Sequence, residues 1–302
     1  MATNPIVRVV LWMTGGLLSF SAMAISIRLL SANLNLFEVL TVRSLLGLII
    51  MLTLLAVHPP FRTQIRPQRM RLTLFRNGIH FVAQYLWATG LTLLPFATVF
   101  ALEFIAPAWT ALLAVWILGE KLTKSRIGVI VLGLLGVLII LRPGIEAFNP
   151  AALFVLLASL GYACVYISTK MLTKTQTTFA IIFWMMVIQF PIGMLGSDPL
   201  FLLRLPASDI PAAIALGVSG ATSHLCLSNA FRAGDATLVV PLDFLRVPLI
   251  AVVGWMFFNE RLDVWVFVGV LVILAGILWN LRAESRRDRK STRLNSSHGY
   301  IS

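Results

Sequence analysis

The chain is built from ten apolar runs of membrane-spanning length, joined by connections too short to hold a soluble domain. A hydrocarbon core about 30 Å thick calls for about 20 apolar residues per helix. Runs of that kind lie at 6–30, 36–57, 72–94, 96–118 and 126–141, and again at 150–172, 178–197, 210–232, 236–258 and 263–282. Leu94–Phe96 and Ala233–Asp235 leave only a turn between neighbouring runs. In lipid the backbone must satisfy itself, so these runs predict helices. The expected fold class is an all-α integral membrane protein with ten transmembrane helices. Composition excludes a soluble enzyme: 59% of the 302 residues are hydrophobic and only 12% are charged, against about 25% charged in a soluble domain. The first run carries Arg8 and Arg28 at its margins and no small-residue cleavage site followed by a soluble domain, so it reads as a retained helix.

The net charge of +12 is spread through the loops and not gathered into a patch, which points to topology and not to nucleic acid. Eighteen of the 24 Lys and Arg residues fall on the side of the N-terminus, in Arg8, Arg62 to Arg76, Lys121 to Arg126, Lys170 and Lys174, Arg232, and the tail from Arg282. Arg28, Arg142, Arg204 and Arg261 fall on the other side, while Arg43 and Arg246 lie inside spans. The bias places both termini in the cytoplasm and supports an even number of spans. Cys164 and Cys226 sit in separate apolar runs and form no disulfide framework or metal motif. Residues 291–302 turn abruptly polar and Ser-rich, and read as a non-native, adaptor-derived tail.

Shifting the chain by 140 residues aligns it with itself without a gap. Glu103-Phe104 meets Asp243-Phe244, Gly119-Glu120-Lys121-Leu122 meets Asn259-Glu260-Arg261-Leu262, Gly136 meets Gly276, and Leu141-Arg142 meets Leu281-Arg282. The units are 6–142 and 148–284. Five spans per unit is an odd number, so the second copy enters the membrane from the opposite face. Two inverted five-helix repeats with a midplane site between them are a design of secondary transporters.

These paired turns and ten spans resemble the drug/metabolite transporter superfamily, EamA-type, over about residues 6–284. Within it the chain is similar to bacterial inner-membrane amino-acid exporters, including the aromatic branch. The second turn has Asn259 where a glycine is common. The resemblance implies a bacterial inner-membrane carrier that exports small metabolites, with a cavity made by helices 1, 3, 4, 6, 8 and 9.

Charges inside spans cost roughly 2.5–3.5 kcal/mol each, so each requires a reason. Glu103 and Arg43 lie at equal depth and are positioned for an ion pair, while Asp243 and Arg246 are three apart on one helix face. These pairs fix helix packing, or else Glu103 or Asp243 takes up a proton or meets a substrate ammonium. Asn77, His80, Gln84 and Trp87 form one polar stripe on the third span. Gly217, Gly220, His224 and Ser228 form another on the eighth, and Gln84 aligns with His224, which predicts opposite walls of one cavity. His80 and His224 suit proton coupling or a buried neutral role. Tyr85, Trp87, Phe100, Phe104, Trp109, Tyr162 and Tyr166 lie away from the interfaces, with Tyr162 and Tyr166 the preferred aromatic wall. Pro107 in the fourth span and Pro241 and Pro248 in the ninth are hinge candidates. Gly128, Gly133 and Gly136 with Gly269, Ala275 and Gly276 fit a dimer face or a rear wall.

No Walker loop, HExxH, CxxC or GxSxG pattern occurs, so no ATP hydrolysis, cofactor or metal is expected. The expected partners are a small-molecule substrate, the bilayer and protons as a coupling ion, with the protein a monomer or weak homodimer. Carriers of cationic drugs or of purine- and nucleotide-type solutes are the nearest alternatives. A membrane-embedded enzyme and a non-transporting assembly subunit are the alternatives of another class.

Overall fold

The structure is a computed structural model describing residues 5–66, 68–119, 123–142, 149–233, 239, 242–243 and 245–298. The described residues fold into α1 (Pro5–Leu30), α2 (Leu36–Val57), α3 (Met70–Leu93), α4 (Phe96–Glu103), α5 (Ala106–Leu118), α6 (Lys124–Leu141), α7 (Ala151–Leu172), α8 (Thr178–Met194), α9 (Ile210–Ala233), α10 (Arg246–Phe258) and α11 (Val264–His298). Short 3₁₀ turns at Pro59–Thr63, Phe201–Arg204 and Ala207–Asp209 complete them, and no strand occurs among the described residues. Among the described residues six stretches are long and apolar enough to cross a membrane, and three apolar helices are shorter. Large apolar side chains such as Leu11, Trp116, Leu203 and Phe257 cover the outside, as lipid requires. The chain is a multi-pass, all-helical membrane protein.

Seven of the ten expected spans have one helix within a few residues of both predicted ends, and the tenth starts as expected at Val264 but runs on to His298. The ninth is described in full only from Arg246, with Val239, Leu242 and Asp243 also helical. The fourth is a correction, because it consists of two helices and not one kinked helix. α4 ends at Glu103, Phe104 and Ile105 form a turn, and α5 restarts at Ala106 with Pro107 in its first turn. A proline ring excludes the carbonyl four residues back and supplies no N–H, so Pro107 breaks the ladder at Glu103. Pro248 is the third residue of α10, and Pro241 lies outside the described residues. α5 and α10 are both 13 residues long and both end on a left-handed residue, Gly119 (φ 66°) and Asn259 (φ 54°). Asparagine tolerates that conformation, so the departure from glycine costs little. The α11 backbone is helical to His298, through part of the tail set aside from the sequence.

The dominant packing joins helices from opposite halves: α1 along α9, α3 along α7, α6 along α11, and α2 along α8. One apolar core fills the end of the bundle nearest Arg28, where Ile27, Leu30, Leu91, Phe96, Phe100 and Leu102 meet Val247 and Ile250. Gly128 and Gly136 of α6 pack against α11 and Gly133 packs against Ile105 and Ala108, so these glycines lie on an internal wall. A Cβ on Gly136 would sit 2.7 Å from the Gly269 carbonyl oxygen, and one on Gly269 would sit 2.6 Å from the Gly136 carbonyl oxygen. Backbone, unlike a flexible side chain, cannot step aside. Gly136→Leu should therefore lower the melting temperature of the detergent-purified protein, with overpacking costing about 1–3 kcal/mol or more. An unchanged melt would show that α6 and α11 are not held at this spacing.

Candidate functional site

The polar stripe of α3 turns inward and is buried: Asn77, His80, Gln84 and Trp87 all lose almost all contact with solvent. What meets it determines the chemistry. From α2, Arg43 Nη1 donates to Gln84 Oε1 at 2.9 Å and, more weakly, to Gln189 Oε1 of α8 at 3.4 Å. Arginine has only donors, so it fixes which end of the Gln189 amide is oxygen. Gln189 Nε2 then donates to the Asn77 carbonyl at 3.3 Å and to His80 Nδ1 at 2.7 Å. His80 is thereby a neutral imidazole with its proton on Nε2.

Arg76, counted with the loop cations in the sequence, is instead buried within α3. Its Nη1 donates to Asn77 Oδ1 at 2.6 Å and its Nε to Thr169 Oγ1 of α7 at 3.0 Å. Arg43, Arg76, His80, Gln84 and Trp87 line a cavity of about 200 Å³ with Phe20 and Met23 of α1, Tyr162, Tyr166 and Thr169 of α7, and His224 of α9. The His80 ring centroid is 6.0 Å from Tyr162 and 6.2 Å from His224. Gln84 and His224 line the same cavity.

Glu103, Asp243 and Arg246 close the far side of this cavity and open a second one of about 450 Å³. Arg246 Nη2 bonds both Asp243 oxygens, at 2.5 and 2.6 Å, and Nη1 lies 3.6 Å from Glu103 Oε1. Its guanidinium stacks 3.9 Å from the Phe20 ring centroid. The expected Arg43–Glu103 pair does not form, because Glu103 points to Arg246 and Arg43 is held by amides. Trp87 lies against Glu103 on the cavity wall. The larger cavity runs past Pro107, Thr110 and Tyr166 toward the end of the bundle marked by Lys170 and Asn280.

Three site expectations are corrected or limited. Phe100 is buried in the apolar core and packs its ring 5.6 Å from that of Trp87, so it stands behind the cavity wall. Asn77 lines neither cavity and acts by orienting Arg76. The side chain of Ser228 lies outside the described residues. Arg76 and Gln189 were missed. A run of arginines hid the first, and a lone glutamine in α8 gave no pattern for the second.

The opposite end of the bundle is shut. Arg28 pairs with Glu260 and donates to the carbonyls of Leu91 (2.7 Å) and Leu94 (2.6 Å), while the Phe96 N–H donates to Glu260 Oε2 at 2.9 Å. The Arg28 guanidinium also lies 3.5 Å above the Phe96 ring centroid. These contacts tie α1, the end of α3, the start of α4 and the turn after α10 into one clamp.

The profile of the EamA-like transporter family matches residues 7–142 and again 149–282. An S-adenosylmethionine uptake transporter of Rickettsia felis is 26% identical over 275 residues, covering 91% of this chain and 92% of the relative. A riboflavin transporter of Rhizobium johnstonii is 31% identical over 205 residues, covering 68% of each. A solved crystal structure superposes with a TM-score of 0.61 at 16% identity, over 92% of this chain and 98% of that one, and shares the fold.

Arg246 bridges two carboxylates, one positive charge against two negative, inside the bundle. Removing one partner of such a cluster costs about 3–5 kcal/mol because the remaining charges stay buried. Arg246→Met should reduce folded yield and melting temperature in detergent. Combining it with Glu103→Gln and Asp243→Asn should recover most of the loss. A single variant that melts like the native protein would refute the electrostatic tie.

Proposed function

The chain belongs to the EamA-like transporter family, and from that premise we propose a secondary carrier of the bacterial inner membrane that exports small metabolites, amino acids foremost, by alternating access. One observation supports this most: a charged cavity in the bundle interior, lined by helices from both family-matched segments. Ionisable groups inside a membrane bundle are costly, and they are retained where they meet a substrate or an ion. The carboxylates of Glu103 and Asp243 suit a substrate ammonium. S-Adenosylmethionine, the cargo named for one relative, carries an amino-acid head on an aromatic base. Riboflavin, named for another, is flat and uncharged, and the ring wall of Phe20, Trp87 and Tyr162 favours such a cargo as a second reading.

In this reading 6–142 and 148–284 are inverted repeats. The matched lengths and left-handed ends of α5 and α10 support it. So does the packing, since exchanging the halves carries the α1–α9 contact onto α7–α3 and leaves α6–α11 in place. The loop charges put both termini, and so the Lys170 end, in the cytoplasm. The Arg28–Glu260 clamp then closes the external side, and the halves rock to exchange the open ends. Glu103 is the proton-coupling candidate, with Pro107 and Pro248 beside the breaks that would flex.

The test is flux of labelled phenylalanine and threonine in proteoliposomes, with S-adenosylmethionine and riboflavin as competitors and with or without a pH gradient. Saturable, competed flux is expected. Protein shown to be folded that moves neither amino acid would end the amino-acid reading. Gln84→Ala and Trp87→Ala should change the competitor ranking at unchanged expression, and an unchanged ranking in both would remove α3 from the site. Glu103→Gln should lose the response to the pH gradient, and a full response would remove Glu103 from coupling.

A further inference from the structure

The charges in the smaller cavity are not balanced. Three guanidiniums, from Arg43, Arg76 and Arg246, face two carboxylates, and both carboxylates are engaged by Arg246 alone. Arg43 and Arg76 are 1% and 5% exposed. Every hydrogen-bond acceptor they have among the described residues is neutral: Gln84, Gln189, Asn77 and Thr169. Arg43 Nε is buried with no hydrogen-bond partner among the described residues. A charge in such a site normally has a counter-charge, because leaving it without one is among the costliest arrangements a fold can hold. The neutral acceptors orient the two forks without neutralising them. His80 adds a further donor, since Gln189 occupies its Nδ1 and leaves the Nε2–H on a ring that lines the same cavity.

Resting on the carrier reading above, we propose that Arg43 and Arg76 form an anion subsite that receives an acid group of the cargo, a carboxylate or a phosphate monoester. Arginine forks match the paired oxygens of either group. The carboxylates of Glu103 and Asp243 lie across the cavity. A cargo with an acid group at one end and an amine at the other would bring a counter-charge to both clusters. An uncharged flat ring would bring one to neither.

The test uses the full chain in nanodiscs and pairs of probes that differ only at the acid group. Phenylalanine is compared with phenylalaninamide, and riboflavin 5′-phosphate with riboflavin, by ligand-induced thermal shift, with phenylalanine counterflow measured in parallel proteoliposomes. Hydrogen bonds to a charged group predict that the acid of at least one pair binds about tenfold or more tightly than its neutral partner. Which pair shows the preference separates carboxylate from phosphate. Arg43→Gln and Arg76→Gln should erase the preference, and Arg43→Lys should retain part of it through charge alone. Because the ratio is read first in the native protein, a misfolded variant does not decide the outcome. Equal binding within both pairs, or no binding of either acid, overturns the subsite. If counterflow persists with equal binding, the carrier reading survives without the subsite. An acid preference without counterflow upholds the subsite and refutes the carrier reading for phenylalanine.

Discussion

A guanidinium in a membrane interior needs partners from the protein, and Arg246 is met by carboxylates from two separate segments of the chain. Asp243 lies just before α10 and Glu103 ends α4. Glu103 lies where the expected fourth span is interrupted, and Asp243 lies three residues before α10 begins. The break and the charge cluster support each other. A helix break leaves polar groups that lipid cannot satisfy, and a buried cation with its anions keeps the break inside the protein. The smaller cavity, the larger cavity and the packing of α4 on α10 all meet at this cluster.

Arg43 and Arg76 show the contrasting arrangement, in which burial is matched by orientation and not by neutralisation. Amide and hydroxyl oxygens hold each fork in place, and Gln189 links Arg43 to His80 through a single amide whose direction the arginine sets. The neutral network fixes geometry at little electrostatic gain, which keeps the positive charge available to a mobile anion.

Much of the fold was legible because lipid enforces one simple rule on every segment. Length, apolarity and loop charge located the helices, and Gly119 and Asn259 marked two helix ends. The α3 stripe and the Gln84–His224 opposition were also legible, since polar residues one turn apart share a face. The pairing of Glu103 was not. Equal depth is a one-dimensional criterion that cannot tell which of two arginines approaches from the right side. Arg76 was misassigned because a cation near a helix end looks the same in sequence whether it snorkels outward or folds inward. Phe100 looked like a cavity wall because periodicity distinguishes inside from outside but not wall from core.

The seam between α6 and α11 has a mechanical consequence. Gly136 and Gly269 bring the two backbones against each other's carbonyls, so these helices cannot slide past one another without collision. They form a spine. Rocking of the halves would be a rotation about that line, with displacement growing with distance from it. Val129, Ile277 and Leu281 set the larger cavity against the spine, whereas no residue of α6 or α11 borders the smaller one. The larger chamber would keep its shape as a vestibule, and the smaller chamber would undergo most of the change in width.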